Sequence, residues 1–144
     1  MKGHYMALDL AKNNLSVAAD IGFEFEVKLP GSNEGTDAFI TVRGEESKTV
    51  KAFGRNKFKE FQQKQTQARR RGKDVEDMTL EDAEELSVET AVVRVMSWRG
   101  ITDNGEEVKF SPEAAAKIFK EHSWIREQVM EESSQILNFR PTGN

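Results

Sequence analysis

The sequence contains no cysteine, which excludes a disulfide framework and any thiolate metal site. That absence fits a reducing compartment. No apolar run approaches the ~18–20 residues that a membrane-spanning helix needs, and the N-terminus lacks the apolar core of a secretory signal. The expectation is a soluble, cytosolic chain. Histidine is scarce, with only His4 and His122. His4 falls in a terminal stretch, and His122 beside Ser123 reads as a surface or cap residue near a helix end, not a catalytic base. Neither a GxGxxG pattern nor a Gly-Lys-Ser/Thr phosphate loop occurs. The acids Glu81, Asp82, Glu84, Glu85 and Glu89 lack the alternating spacing of a calcium loop and suit a solvated helix face. No feature selects a carboxylate pair for acid–base chemistry. These absences point away from an enzyme, and neither a cofactor nor a metal is expected.

What is present fits one domain, since 144 residues leave little room for two cores. With 37% hydrophobic and 32% charged residues, the balance describes one modest core under highly charged surfaces. The net charge of −4 conceals a sharp segregation. Lys48 to Lys73 holds ten Lys/Arg and one acid, Glu60, while Asp74 to Glu89 holds eight Asp/Glu and no base. The two blocks can lie side by side within one chain, or each can meet its opposite on another copy.

Periodicity gives the order of elements. Met1 to Tyr5 precede a second methionine, Met6, and are set aside from the fold. Residues 1–22 read as a flexible N-terminal arm with room for a short helix. Phe23-Glu24-Phe25-Glu26-Val27-Lys28-Leu29 alternates apolar and charged residues, which places its four apolar side chains on one face of a strand. Pro30 to Asp37 is turn chemistry, and Ala38 to Arg43 returns as a second strand with Ile40 and Val42 sharing a face. After Glu45 the period becomes helical: Val50, Phe53, Phe58 and Phe61 fall within about 140° of a helix wheel, and Gly72 stops the helix.

Thr79 caps the next helix, with Asp82 completing a capping box and the acids favouring the positive end of the helix dipole. Leu86, Val88, Ala91, Val92, Val93, Val95, Met96 and Trp98 extend this helix to Gly100 as the central buried element, although the β-branched run favours strand. Asp103-Asn104-Gly105 is a turn, followed by an extended segment with Val108 and Phe110. Ser111-Pro112-Glu113 then opens a helix to about Glu121. Ser123 is expected to cap a last helix with Ile125, Val129 and Ile136 inward, and residues 141–144 form a tail. The predicted fold is α+β and helix-dominant: an antiparallel hairpin followed by about four helices in a single domain over residues 23–140.

Candidate contact residues come from charge and aromaticity. Arg69-Arg70-Arg71-Gly72-Lys73 is the sharpest charge feature and can bind phosphate or an acidic protein surface. The acidic total, the acidic block that follows, and phenylalanines at core spacing disfavour nucleic acid and favour protein. Trp98, Phe110, Trp124 and Phe139 are core by default, and part of that aromatic surface can serve a partner. Arg126 and Gln128 flank the buried stripe of the last helix, where the rim of a contact would lie.

The second half resembles the tail assembly chaperones of long-tailed, double-stranded DNA phages and related prophages. The residues that carry the resemblance begin at Trp98-Arg99-Gly100-Ile101. They continue through Gly105, Val108 and Phe110-Ser111-Pro112-Glu113-Ala114-Ala115, and close with Trp124-Ile125-Arg126-Glu127-Gln128-Val129. Ile40-Thr41-Val42-Arg43-Gly44 and Ser47 are similar more loosely. Family members typically have Pro where this chain has Ser123 and often Asn in place of Ala114, changes that leave the helix start intact. The resemblance implies a non-enzymatic protein that binds the tape-measure protein and keeps it soluble while the tail tube assembles. It also implies action in the host cell cytoplasm, absence from the finished virion, a longer frameshifted form in many phages, and no cofactor. Arg69, Arg70, Arg71, Trp124, Arg126 and Gln128 are the residues expected to contact protein, with self-association through the opposed charge blocks. The alternative is a nucleic-acid-associated regulatory domain that uses Arg69 to Lys73.

Overall fold

A computed structural model describes residues 7–74 and 77–140; the expected 141–144 tail and residues 1–5 lie outside the described residues. Helix α1 (Leu15–Ile21) leads into strands β1 (Phe23–Lys28) and β2 (Gly35–Val42), then α2 (Lys48–Arg70) and α3 (Leu80–Val92). Strand β3 (Val95–Arg99), a two-residue hairpin of β4 (Thr102–Asp103) and β5 (Glu106–Glu107), α4 (Pro112–Glu121), α5 (Ser123–Ser134) and a 3₁₀ turn (Ile136–Phe139) complete the order. The fold is α+β with helix dominant, and four of the five α-helices described follow the hairpin.

The alternating hairpin forms as its pattern requires. β1 and β2 pair antiparallel with Phe25 opposite Ile40, and Phe25, Val27, Ala38, Ile40 and Val42 are all buried. Leu29 falls outside β1 and is exposed. α3, α4 and α5 pack on one another, and α5 also crosses β1 and β2. Their inward residues Ala91, Ala115, Phe119 and Val129 are completely buried together with Ile40 and Val42. Full burial of each of the larger side chains contributes about 1.5–3 kcal/mol. Capping closes the helices as the sequence predicts. Thr79 and Asp82 form a reciprocal capping box, and Ser111 Oγ accepts from the Ala114 N–H at 3.0 Å, with Pro112 in the first turn.

The expected long central helix is corrected. It stops at Val92, and Val95–Arg99 leaves as a third strand, paired with β2 so that Ile40 faces Trp98. Val92, Val93 and Val95 favour extended backbone, and the outer edge of β2 offers hydrogen bonds that a continued helix would leave unmade. Trp98 consequently sits half-buried on a strand, its indole N–H donating to the Val108 carbonyl at 2.7 Å and its ring edge-on to Phe110 at 5.1 Å. Gly100 ends β3 at φ +81, with the Asp37 carbonyl against the position a Cβ would take.

Two further expectations change at the C-terminal helix. Ser123 is its first residue and not its cap; His122 holds the cap position and makes no side-chain capping bond. Ile136 lies beyond α5 in the 3₁₀ turn and is exposed, while Phe139 is the residue that turns inward. Part of the expected arm is packed against the body. Ala19 of α1 is buried, its carbonyl accepts from the Gly44 N–H at 3.1 Å, and a Cβ at Gly44 would meet Ala19 at 2.9 Å and Phe139 at 3.0 Å.

Candidate interaction surfaces

α2 starts firmly. The buried Ser47 side chain accepts from the N–H groups of Thr49 and Val50, and Asp20 of α1 accepts from the Lys48 N–H at 3.1 Å. Val50 is the one buried residue of this helix. Twenty-three residues at 1.5 Å each give a rod about 34 Å long, and every residue of it other than Val50 is half-buried or exposed. Phe58 and Phe61 are therefore 61% and 50% exposed, which overturns their expected place in the core. Their spacing marks one face of a helix, and among the described residues nothing buries either ring, although Lys57 beside Phe58 reaches Glu89 of α3.

The opposed charge blocks meet at one ion pair among the described residues, Lys57 with Glu89 at 2.8 Å; Lys57 also reaches Glu60 at 3.4 Å. The hydrogen bond to Glu89 holds the Lys57 ammonium above its ordinary pKa. Lys57 also lies 5.5 Å from the centre of the Phe53 ring. Arg69 and Arg70 occupy the last turn of α2, where positive charge suits the helix dipole, and Arg71 is its cap. All three are exposed, and none forms an ion pair among the described residues.

Trp124, Arg126 and Gln128 stand on α5, away from the arginine triplet in the chain. Gln128 is committed internally: its Oε1 accepts from the Lys28 N–H and its Nε2 donates to the Lys28 carbonyl, both at 2.9 Å. One side chain thereby satisfies both backbone groups at the end of β1, where the pairing with β2 is irregular. Arg126 donates to the Phe119 carbonyl at 3.1 Å, tying α5 to the end of α4 instead of pairing with Glu121 or Glu127. Both side chains thus hold the fold together at the expected contact rim.

Above the Gln128 clamp, β1, the following turn and α5 enclose a cleft that the sequence did not suggest. Trp124 is half-buried along it, and five carboxylates, Glu24, Glu26, Glu127, Glu131 and Glu132, line it against one ammonium, Lys28. Glu24 is bound in bidentate fashion by Arg99 at 3.1 Å, and that hydrogen bonding holds its carboxyl below the usual range. Glu26 is lowered chiefly by accepting from the Asp37 N–H. Glu132 accepts from Asn138, whereas Glu127 and Glu131 are exposed and make no ion pair among the described residues. These acids are a hundred residues apart in the chain, so no local charge run announces them.

Deeper in the fold, Arg94 and Ser133 are buried polar residues that no motif or periodicity in the sequence marks. Arg94 is 6% exposed, pairs with Glu45 at 2.7 Å and donates to the Thr90 carbonyl, leaving its Nε without a partner. Ser133 donates to the Arg43 carbonyl at 2.6 Å from a fully buried position. Their role is to tie the loop after β2 to α3 and α5.

Among the described residues no helix is long and apolar enough to cross a membrane. Residues 53–143 match the family model described as YdaY prophage protein. No curated protein and no solved structure matches the chain.

Proposed function

The chain belongs to the YdaY prophage protein family, and on that footing we propose that it is a tail assembly chaperone. In this reading it is not an enzyme. It binds the phage tape-measure protein in the host cytoplasm, keeps it soluble while the tail tube assembles, and is absent from the mature virion. The observation that carries the reading is the unpartnered face of α2. Phe58 and Phe61 stand exposed on a helix whose single buried residue is Val50, in its first turn, and which Lys57 ties to Glu89 of α3. A long amphipathic partner must have its apolar stripe covered until its final neighbours arrive, and helix-on-helix packing against such a face does this reversibly. Many weak copies along one partner give avidity without a deep pocket.

The test is co-expression with the tape-measure protein. Phe58→Ser/Phe61→Ser should fold with stability within about 0.5 kcal/mol of wild type, because both rings are solvated. The same variant should lose capture of the tape-measure protein and leave it insoluble. Full capture by the folded variant sinks this reading.

The exposure of the same rings favours a second reading, contact with nucleic acid. Lys48, Lys51, Arg55, Lys59 and Arg70 share one side of α2 by helical spacing, and exposed phenylalanines can stack on bases. Salt-dependent gel shifts of single- and double-stranded probes at micromolar protein decide it; no shift at low salt removes it.

A further inference from the structure

We propose that the acidic cleft between β1 and α5 receives the arginine tip of α2 from a second copy of this chain. The two surfaces are complementary in charge and separate in space. Of the five carboxylates of the cleft, Glu24 is paired with Arg99 and Glu26 with Lys28. That leaves Glu127, Glu131 and Glu132 without an ion pair among the described residues, and the tip presents Arg69, Arg70 and Arg71 without an acid among them. Within one chain they do not meet: no ion pair among the described residues joins the tip to the cleft. The tip is exposed at the end of a helix about 34 Å long whose single buried residue lies in its first turn. Glu127 and Glu131, one turn apart on α5, form an exposed edge for a guanidinium fork, and the half-buried Trp124 ring forms an aromatic wall against which an arginine can stack.

This contact is distinct from the pairing of the α2 cations with the acids of residues 74–89, of which Lys57 with Glu89 forms within the chain. It is also head to tail. Each copy offers one tip and one cleft, so binding leaves a free tip at one end and a free cleft at the other, and the assembly grows. Phe58 and Phe61 lie two to three turns before the tip and stay open along such an assembly. The contact goes beyond the chaperone reading and is measured on the purified chain alone, so either can fail without the other.

The experiment is sedimentation velocity on the full chain after nuclease treatment, across concentration, at low salt and at about 1 M salt, where the Debye length is about 3 Å. Wild type should gain mass with concentration at low salt and return to monomer at high salt. Arg69→Ser/Arg70→Ser/Arg71→Ser keeps a cleft and lacks a tip; Glu127→Gln/Glu131→Gln keeps a tip and lacks a cleft. Each should remain monomeric alone with an unchanged melting curve, and their equimolar mixture should stop at a 1:1 dimer. Wild type that stays monomeric at low salt overturns the proposal. So does association in either folded variant at the wild-type level, failure of the mixture to pair, or association that disappears with nuclease, which would assign the tip to nucleic acid. If either variant melts early, the single changes Arg70→Ser and Glu131→Gln replace it, and a mixture of these that grows like wild type overturns the proposal equally.

Discussion

Replacing Gln128 by alanine should destabilise the domain by about 2 kcal/mol, since it removes two hydrogen bonds that each contribute about 0.5–1.5 kcal/mol net. The bonds run at 2.9 Å from one amide to both backbone groups of Lys28. Lys28 is half-buried where β1 leaves β2, so neither its N–H nor its carbonyl regains full hydration once the amide is gone. With a urea slope of about 1–3 kcal/mol per molar, the midpoint should fall by roughly 1 M. Amide exchange should localise the loss, with the Lys28 N–H accelerating before its neighbours in the middle of β1. Gln128→Glu is the sharper probe. Its carboxylate still accepts from the Lys28 N–H but repels the Lys28 carbonyl, so the folded-state pKa of the new group should rise above the ordinary glutamate value. A raised pKa means that the folded state binds more protons, so this variant should recover stability relative to wild type as pH falls through that pKa. A midpoint within about 0.2 M of wild type, with unchanged exchange at Lys28, would refute the clamp and return Gln128 to the contact rim that its helical position suggests.

Trp98→Ala should cost about 3 kcal/mol, at the low end for large aromatic truncations because the ring is only half-buried. Trp98→Phe should cost about 1 kcal/mol for the lost bond to Val108; urea midpoints measure both. Gly100→Ala combines a positive φ with a Cβ driven into the Asp37 carbonyl, and should cost about 2 kcal/mol or more in the same assay. Glu24 should titrate below the ordinary glutamate range in a carboxyl-detected NMR series, and Arg99→Gln should return it to that range. The sign follows from a depressed folded pKa: the stability contributed by this pair is present above the ordinary glutamate range and lost as pH falls through the folded value.

Local chemistry alone determined a good part of this protein. Strict alternation from Phe23 to Val27 specified a strand and its buried face, because a period of two leaves no other way to gather those side chains. Thr79 with Asp82, and Ser111 with Pro112, specified helix starts, because capping is settled within four residues. Asn104-Gly105 specified a tight turn, both residues adopting positive φ. Tertiary structure decided the rest. Val95 to Trp98 carries apolar residues compatible with a helix or a strand, and the unpaired edge of β2 chose strand. Helical spacing gathered Phe58 and Phe61 on one face but could not say whether anything would cover it; among the described residues only Val50 of α2 is buried, and both rings stay exposed. The position of Gln128 beside a buried stripe left open whether its amide faced a partner or its own chain, and the irregular end of β1 supplied the backbone groups that captured it. The acidic cleft is the plainest case. Its carboxylates come from β1 and α5, segments a hundred residues apart, and only the packing of that helix across the hairpin turns them into one electrostatic surface.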